Sequence, residues 1–163
     1  MVILQDSREQ RALPFKVGGS IHEVSVETLR VGDYGCRYLD GTVPPIFFER
    51  KSVGDLWGTM TAGYPRFKKE MSRGWDSGVT IILAIEATLT EVYGGFSRSQ
   101  VAGDSMVQKL FTLQRRHNLP LVFCDGRAEM VAYITEFYEA IGREKLVAEK
   151  ISHKGLDKSP IMG

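Results

Sequence analysis

The sequence is poor in cysteine and histidine, which limits the disulfide and metal chemistry open to it. Its two cysteines, Cys36 and Cys124, are too few for a disulfide framework. Both lie in apolar, strand-like segments, which predicts buried free thiols. The three histidines, His22, His117 and His153, are far apart and lack the nearby cysteine or histidine partners typical of a zinc site. We therefore interpret them as structural or solvated residues.

Long apolar runs are also missing. No segment approaches the roughly 20 apolar residues that span a bilayer. Residues 1–6 lack the basic, apolar and small-residue order of a signal peptide. These absences predict a protein without a membrane partner, in the cytoplasm or, in a prokaryote or virus, at the nucleoid. The net charge of +1 neither supports nor excludes a nucleic-acid partner, because clustered carboxylates can cancel basic residues elsewhere.

The residues present predict a single α/β domain. The chain has 163 residues, of which 43% are hydrophobic and 25% charged, as in ordinary globular proteins. Antiparallel strands come first, joined in part by a hairpin turn at Asp40–Gly41, and strand–helix–strand–helix follows. This order predicts a mixed β-sheet flanked by helices. Strands are predicted over 1–7, 22–27, 46–51, 79–85 and 119–124, helices over 52–60, 65–74, 105–117 and 128–141, and a mobile loop over 94–105.

Acidic and basic residues gather where the predicted strands end. Asp33 follows Gly32, and Glu49-Arg50-Lys51 closes an apolar strand. Because side chains alternate along a strand, Glu49 and Lys51 point one way and Arg50 the other. The turn at Asp40–Gly41 folds the two segments together, so that Asp33 approaches Glu49.

Such a cluster suits phosphodiester hydrolysis. Neighbouring carboxylates repel one another, and a divalent cation relieves the repulsion; hard oxygen ligands favour Mg²⁺ or Mn²⁺. A lysine on the same face orients a water or offsets charge on the phosphate. Each residue alone also has an ordinary explanation, since strand ends meet solvent and aspartate after glycine is common in turns. The apolar strand ends in three consecutive charged residues, Glu49, Arg50 and Lys51, and a helix that contains Asp55 begins there. This combination favours the catalytic interpretation.

The pattern resembles a known nuclease family. Gly32-Asp33, then Glu49-Arg50-Lys51, then Asp55 match the GD…ERK-x-x-x-D signature of the XPF-type endonucleases, which include XPF and the archaeal Hef nuclease. The likeness extends to further segments and spans roughly residues 1–145. These further segments are Asp6-Ser7-Arg8-Glu9, Arg66, Ile85-Glu86 and Leu121-Val122-Phe123.

The resemblance implies a fold, an activity and residue roles. The fold is restriction-endonuclease-like and the activity is metal-dependent cleavage of branched, flap or fork DNA, typical of DNA repair. Asp33 and Glu49 would bind Mg²⁺ or Mn²⁺ with the Arg50 carbonyl, and Lys51 would be the catalytic lysine. Asp6 would be an outer ligand or a support. Arg50 and Asp55 would brace the site and could form an ion pair.

The resemblance also implies domain limits and departures from the family. The nuclease domain would occupy residues 1–145, and 146–163 would be a flexible C-terminal tail. That leaves no space for the tandem helix-hairpin-helix domain that follows in many relatives. Lys69 and Glu70 stand where the family often has a glutamine, so the substrate preference is an open question.

Two surfaces are predicted to bind partners. Basic residues on the second helix and in the mobile loop would contact DNA: Arg66, Lys69, Lys68 and Arg98. Arg73 belongs to the same basic stripe, and ordinary solvation of an exposed helix face is the alternative explanation for these residues. Arg115 and Arg116 are explained by the dipole of the helix that they end. Members of the family commonly dimerise through their last strand and helices. The wide apolar face of residues 128–141 therefore predicts a homodimer through 105–145, although ordinary core packing explains that face equally well.

Three alternatives stay open on the sequence alone. One is a non-catalytic XPF-like subunit that binds DNA or a partner, against which the presence of Asp33, Glu49 and Lys51 argues. Another is a sequence-specific, restriction-type nuclease. The last is a non-enzymatic protein in which the motif is coincidental.

Overall fold

A computed structural model describes the backbone of residues 1–156 and the side chains of residues 1–149. Six strands in this part form one sheet: β1 (Val2–Asp6), β2 (Glu23–Glu27), β3 (Tyr34–Arg37), β4 (Ile46–Ser52), β5 (Thr80–Glu86) and β6 (Leu121–Phe123). The helices are α1 (Val53–Met60), α2 (Tyr64–Asp76), α3 (Leu89–Gly94), α4 (Gly103–His117) and α5 (Gly126–Leu156).

The sheet is mixed, as predicted. Its strands lie in the order β2-β1-β3-β4-β5-β6. The β1–β3 and β3–β4 pairs are antiparallel, whereas β1–β2, β4–β5 and β5–β6 are parallel. In the β4–β5 register Arg50 pairs with Ala84 and Ser52 with Glu86. The carboxyl ends of these two central strands therefore lie side by side, at the edge of the sheet where the charged residues gather.

Strand β5 contributes to two hydrophobic cores. Ile81, Leu83 and Ile85 pack on one face of the sheet with apolar residues of α1, α2, α3 and α4. Ile82 and Ala84 pack on the other face with α5. The prediction of a central strand covered on both faces, made from its unbroken apolar run, is confirmed.

Phe48 connects β4 to α5. Its ring meets those of Tyr133, Phe137 and Tyr138 edge-on, with centroids 6.1, 5.3 and 5.6 Å away. Edge-to-face pairs add to the roughly 1.5–3 kcal/mol gained by burying a phenylalanine. This packing fixes the strand immediately before Glu49.

Several local signals are confirmed. The Asp40–Gly41 turn joins β3 to β4, with φ +85° at Gly41. The Ser52 hydroxyl accepts the Asp55 N–H at 3.3 Å and caps α1. Pro65 lies in the first turn of α2. Both cysteines are free and buried.

Other parts of the architecture differ from the prediction. Strand β2 pairs parallel with β1, because the segment between them crosses back before β2 begins, so the first strands are not all antiparallel. Helix α3 was not predicted, although Thr88 and Glu91 form a capping box at its start. The segment predicted as a mobile loop is partly anchored, since the Trp57 indole donates to the Val101 carbonyl at 3.1 Å.

The last helix is longer than predicted. Helix α5 crosses residue 145, where the nuclease domain was expected to end, and reaches Leu156. The predicted tail is thus helical over 146–156, and its remainder, 157–163, lies outside the described residues. The apolar face of α5 is used in the core of this chain, because Met130, Ile134 and Tyr138 are fully buried there. No helix in the described part is long and apolar enough to cross a membrane.

Candidate active site

Asp33 lies where β1 ends and β3 begins. Its backbone N–H donates to the Phe48 carbonyl at 2.7 Å, and its carbonyl accepts the Asp6 N–H at 2.8 Å. Its side-chain Oδ2 accepts the backbone N–H of Arg50 at 2.8 Å. Asp33 is therefore bonded to the residues on both sides of Glu49, and the predicted approach of these two acidic residues is observed.

Gly32 makes this position of Asp33 possible. Its φ of +70° lies in the left-handed region, which favours glycine. A Cβ added there would lie 2.9 Å from the Phe47 Cβ and 3.0 Å from the Phe48 carbonyl oxygen. The glycine of the Gly32-Asp33 pair thus lets the chain pass close to β4.

Glu49 and Lys51 share one face of β4. The Lys51 ammonium pairs with the Glu49 carboxylate, and both side chains are largely buried, at 16% exposure for Lys51 and 6% for Glu49. The side chain of Arg50 instead binds acidic residues on the opposite face. The predicted alternation is therefore correct.

Burial and mutual repulsion perturb the ionisation of these groups. Burial, and next the charge of Glu49, raises the pKa of Asp33 to about 7. Burial also raises the pKa of Glu49, although the Lys51 ammonium opposes the rise. Burial acts to lower the pKa of Lys51, but the charge and hydrogen bond of Glu49 outweigh it and the pKa is raised. Full ionisation of both carboxylates is thus unfavourable without further positive charge.

Arg50 is held by two carboxylates to which the sequence pattern gave no role. Its Nε donates to Glu86 Oε2 at 2.9 Å, and Nη2 contacts the same oxygen. Its Nη1 lies 3.5 Å from Glu9 Oε1. The expected ion pair between Arg50 and Asp55 is wrong. Asp55 is exposed and belongs to the cap of α1, where the Ser52 hydroxyl donates to its carboxylate at 2.5 Å.

Asp6 lies next to Asp33, and its carboxylate accepts hydrogen bonds from Arg8 and Leu29. Its carboxylate accepts the Arg8 backbone N–H at 2.7 Å, the Arg8 guanidinium at 2.8 and 2.6 Å, and the Leu29 N–H at 3.0 Å. The hydrogen bond from the Arg8 side chain is the main reason that the pKa of Asp6 is lowered. Asp6 is 1% exposed, which suits a support for Asp33 better than an outer metal ligand.

A cleft of about 260 Å³ lies at this end of the sheet, bordered by Arg8, Glu9, Gln10, Arg11, Asp33, Arg50, Lys51 and Asp55. Residues 1–149 contain no group of three or more histidine, cysteine or acidic side chains that could hold a metal ion. Mg²⁺ commonly binds through one or two carboxylates together with waters and substrate phosphate. Asp33 and Glu49 therefore fit Mg²⁺ or Mn²⁺, and do not fit a closed, all-protein metal cage.

Helix α2 lies near the site and carries charges of both signs. Arg66, Lys68, Lys69 and Arg73 are exposed. Glu70 is half-buried, and its charge contributes to raising the pKa of Glu49 and of Lys51. Arg98 is exposed in the loop between α3 and α4. The predicted basic residues are thus solvent-accessible, and Glu70 adds an acidic group that the predicted surface did not include.

Two acidic residues at the site, Glu9 and Glu86, were missed by sequence reasoning, and the sequence contains a signal for one of them. Glu9 and Glu86 both belong to segments that resemble the nuclease family, but their contact with Arg50 was not foreseen. Glu86 ends β5 in register with Ser52, and a charged residue at the end of a central parallel strand lies beside the end of its neighbour. No comparable signal in the sequence indicates the contact of Glu9 with Arg50, because Glu9 lies in an irregular segment after β1.

Known proteins resemble this chain in sequence pattern and in fold. Residues 5–137 match the family described as the ERCC4 domain. XPF from Aeropyrum pernix is similar in structure, with a TM-score of 0.66 and 18% identity over 100% of this chain and 76% of that one. XPF from Aeropyrum pernix in complex with DNA gives a TM-score of 0.65 and 18% identity over 88% of this chain and 66% of that one. No curated protein matches significantly.

Proposed function

The chain belongs to the ERCC4 domain family, and from this premise we propose that it is a metal-dependent DNA endonuclease that hydrolyses phosphodiester bonds in branched DNA such as flaps and forks. The observation that carries the proposal is the meeting of Asp33, Glu49 and Lys51 at one end of the sheet, beside a cleft. Membership in a nuclease family supports DNA as substrate. The similarity to an XPF that is complexed with DNA agrees with it.

Asp33 and Glu49 would hold Mg²⁺ or Mn²⁺, with the Arg50 carbonyl as a third oxygen. The bound ion would polarise a phosphoryl oxygen and lower the pKa of a water. The two carboxylates have raised pKa values, so binding a cation relieves a repulsion that the folded chain already contains. This relief is the physical reason to expect a metal ion here.

Lys51 would act as the catalytic cation. Its ammonium pairs with Glu49, and a cation bound by Glu49 would compete for that carboxylate. The freed ammonium would then orient the attacking water or offset negative charge that develops on the phosphate. Its raised pKa keeps it protonated for that role and argues against a general base.

The exposed residues of α2 would bind the DNA backbone. Arg66 and Lys69 are the first candidates, Lys68 follows, and Arg98 would contact DNA from the loop beside α1. Phosphate contacts of this kind are electrostatic and do not depend on sequence. They suit an enzyme that recognises the shape of branched DNA, and do not by themselves suit a sequence-specific restriction enzyme.

A homodimer through residues 105–145 completes the proposal. Strand β6 is an edge strand, and its residues pack with α4 on one face of the sheet and α5 on the other. Phe111 of α4 is 43% exposed and Tyr133 of α5 is 39% exposed. These two rings, and not the buried face of α5, would contact the second copy.

Single-turnover cleavage of flap, fork, single-stranded and duplex DNA in Mg²⁺ or Mn²⁺ tests the function. Glu49→Gln is expected to lose about 100-fold or more in rate with its fold retained, whereas Glu144→Gln, on the exposed surface of α5, retains full activity. A folded wild-type protein that cleaves none of these substrates with either metal would refute the proposal. That outcome together with DNA binding would favour a non-catalytic subunit.

A further inference from the structure

The Arg50 side chain leaves β4 on the face opposite to Glu49 and Lys51, although Arg50 also borders the cleft with Asp33 and Lys51. Its side chain is 5% exposed, and the side chains of Glu86 and Glu9 that meet it are 18% and 10% exposed. The pair with Glu86 is the closer, because Oε2 accepts from both Nε and Nη2. A buried guanidinium of this kind is strongly destabilising once its partner is removed.

The backbone of Arg50 connects this ion pair to the other face of the sheet. Its N–H donates to Asp33 Oδ2 at 2.8 Å, and its neighbours in sequence are Glu49 and Lys51. Whatever fixes Arg50 in space therefore also sets the distance from Asp33 to Glu49. Arg50 pairs with Ala84 within the β4–β5 ladder, which ends two residues later at Ser52 and Glu86. The Glu86 side chain therefore reaches back across the last rungs of the ladder to bind the Arg50 guanidinium.

We propose that Glu86 is a positioning residue. Its carboxylate, at the end of β5, binds the Arg50 guanidinium and so keeps the Arg50 backbone N–H hydrogen-bonded to Asp33 Oδ2. This arrangement sets the distance between Asp33 and Glu49 that a divalent cation requires. Glu86 itself touches neither metal nor DNA. The inference rests on the proposed nuclease function and adds to it a residue on the far face of the sheet. Glu9 is a weaker second holder, because its contact with Arg50 is 3.5 Å.

An ion pair that only stabilises the fold would behave differently from a positioning pair. Its removal would lower the midpoint of unfolding and leave the Asp33–Arg50 hydrogen bond and the metal affinity of the folded protein unchanged. Removal of a positioning pair would alter both in protein that is still folded. The two roles are therefore separated by measurements on folded protein.

The first measurement needs neither metal nor DNA. Hydrogen exchange of the Arg50 amide, followed by NMR in metal-free protein, reports on its bond to Asp33. Exchange is expected to be about tenfold faster in Glu86→Ala, and faster by a smaller factor in Glu86→Gln, whose amide oxygen still accepts from Arg50. Glu139→Ala is the matched control, since it removes a 3.4 Å contact with Arg143 on α5, far from Asp33 in the fold.

The second measurement is Mn²⁺ affinity by electron paramagnetic resonance. Partners that orient metal ligands typically contribute about 10–100-fold to affinity or activity, and we expect a decrease of about tenfold in Glu86→Ala. Adding Glu86→Ala to Arg50→Ala should cause no further decrease, because Glu86 acts through Arg50. If Glu86→Ala does not fold, both measurements are made on Glu86→Gln.

Wild-type exchange at Arg50 in a folded Glu86 variant would overturn the inference, and so would wild-type Mn²⁺ affinity. A wild-type protein that neither binds Mn²⁺ nor cleaves DNA would instead overturn the proposed function. In that case faster exchange at Arg50 in the Glu86 variants would still support the link from Glu86 to Asp33, and unchanged exchange would refute it.

Discussion

The Lys51 ammonium pairs with the carboxylate of Glu49, two positions earlier on the same face of β4. The pair lies at the end of β4, where Asp33 also contacts that strand. One buried ammonium group therefore lies beside two carboxyl groups. A divalent ion added there would take over the carboxylates and release the lysine for the phosphate. The proposed catalytic roles all follow from this exchange of partners.

Lys51→Met should abolish cleavage while leaving DNA binding nearly intact. The methionine fills a similar volume but cannot stabilise charge on the phosphate, and we expect a decrease of about 100-fold or more in the single-turnover rate. Fluorescence anisotropy with a labelled fork checks that binding survives. Lys16→Met, at an exposed lysine of the segment after β1, is the control. A Lys51→Met protein with wild-type rate would remove this residue from the mechanism.

Asp33→Asn should change how stability depends on pH in metal-free protein. Burial raises the pKa of Asp33 from 3.8 to about 7 in the folded state, so the folded protein binds the proton more tightly than the unfolded chain. The resulting stabilisation is complete below the unfolded pKa and is lost as the pH rises through about 7.

Asparagine keeps an acceptor for the Arg50 N–H and carries no charge. Relative to wild type, Asp33→Asn should therefore gain on the order of 2 kcal/mol in free energy of unfolding as the pH rises from about 4 to about 8. Urea unfolding in a chelating buffer measures the difference. Asp76→Asn, at an exposed position on α2, is the control and should show no such trend. Parallel curves of unfolding free energy against pH for Asp33→Asn and wild type would contradict the prediction, because they would show that ionising the buried Asp33 costs no stability.

Removing basic residues from α2 should weaken binding to every DNA by a similar factor. Removal of one phosphate-binding side chain should reduce the slope of log affinity against log salt by about 0.9 on duplex DNA. Arg66→Ala and Lys69→Ala test this in salt titrations of forked and plain duplex DNA. Arg115→Ala, which removes the same charge from the end of α4, should leave the slope unchanged; an equal effect of all three would indicate general charge attraction without a binding surface on α2.

Phe111→Glu should convert the proposed homodimer to a monomer. A carboxylate in the middle of an apolar interface between copies would be buried without a partner, which is strongly unfavourable. Sedimentation equilibrium measures the mass in solution. Val26→Glu is the matched control, because Val26 is 61% exposed on β2 at the opposite edge of the sheet. A wild-type monomer at all concentrations would rule out this interface.

The sequence was informative wherever a local pattern determines the structure. Alternation along β4 separates Glu49 and Lys51 from Arg50, and the turn at Asp40–Gly41 brings Asp33 to Glu49. Both follow from backbone geometry and were predicted. The metal was inferred from the carboxylate cluster and from the family likeness, whereas the domain limit at residue 145 and the individual site roles were inferred from the family likeness; all of these stay predictions.

The features that were missed depend on tertiary contacts. The partner of Arg50 is Glu86, which β5 brings from far along the chain, whereas the nearer Asp55 is used by the cap of α1. The parallel pairing of β2 with β1 depends on the path of the intervening segment, which has no periodic pattern. The length of α5 was underestimated because helix formation continues past the last residue that packs on the sheet.

Mn²⁺ binding by isothermal titration calorimetry in wild type, Asp33→Asn, Glu49→Gln and Asp76→Asn tests the central claim most directly. If Asp33 and Glu49 hold one cation together, wild type and Asp76→Asn will bind one ion with equal affinity, and each of the other two variants will bind about tenfold or more weakly. Equal Mn²⁺ affinity in all four folded proteins would show that these carboxylates do not share a metal ion.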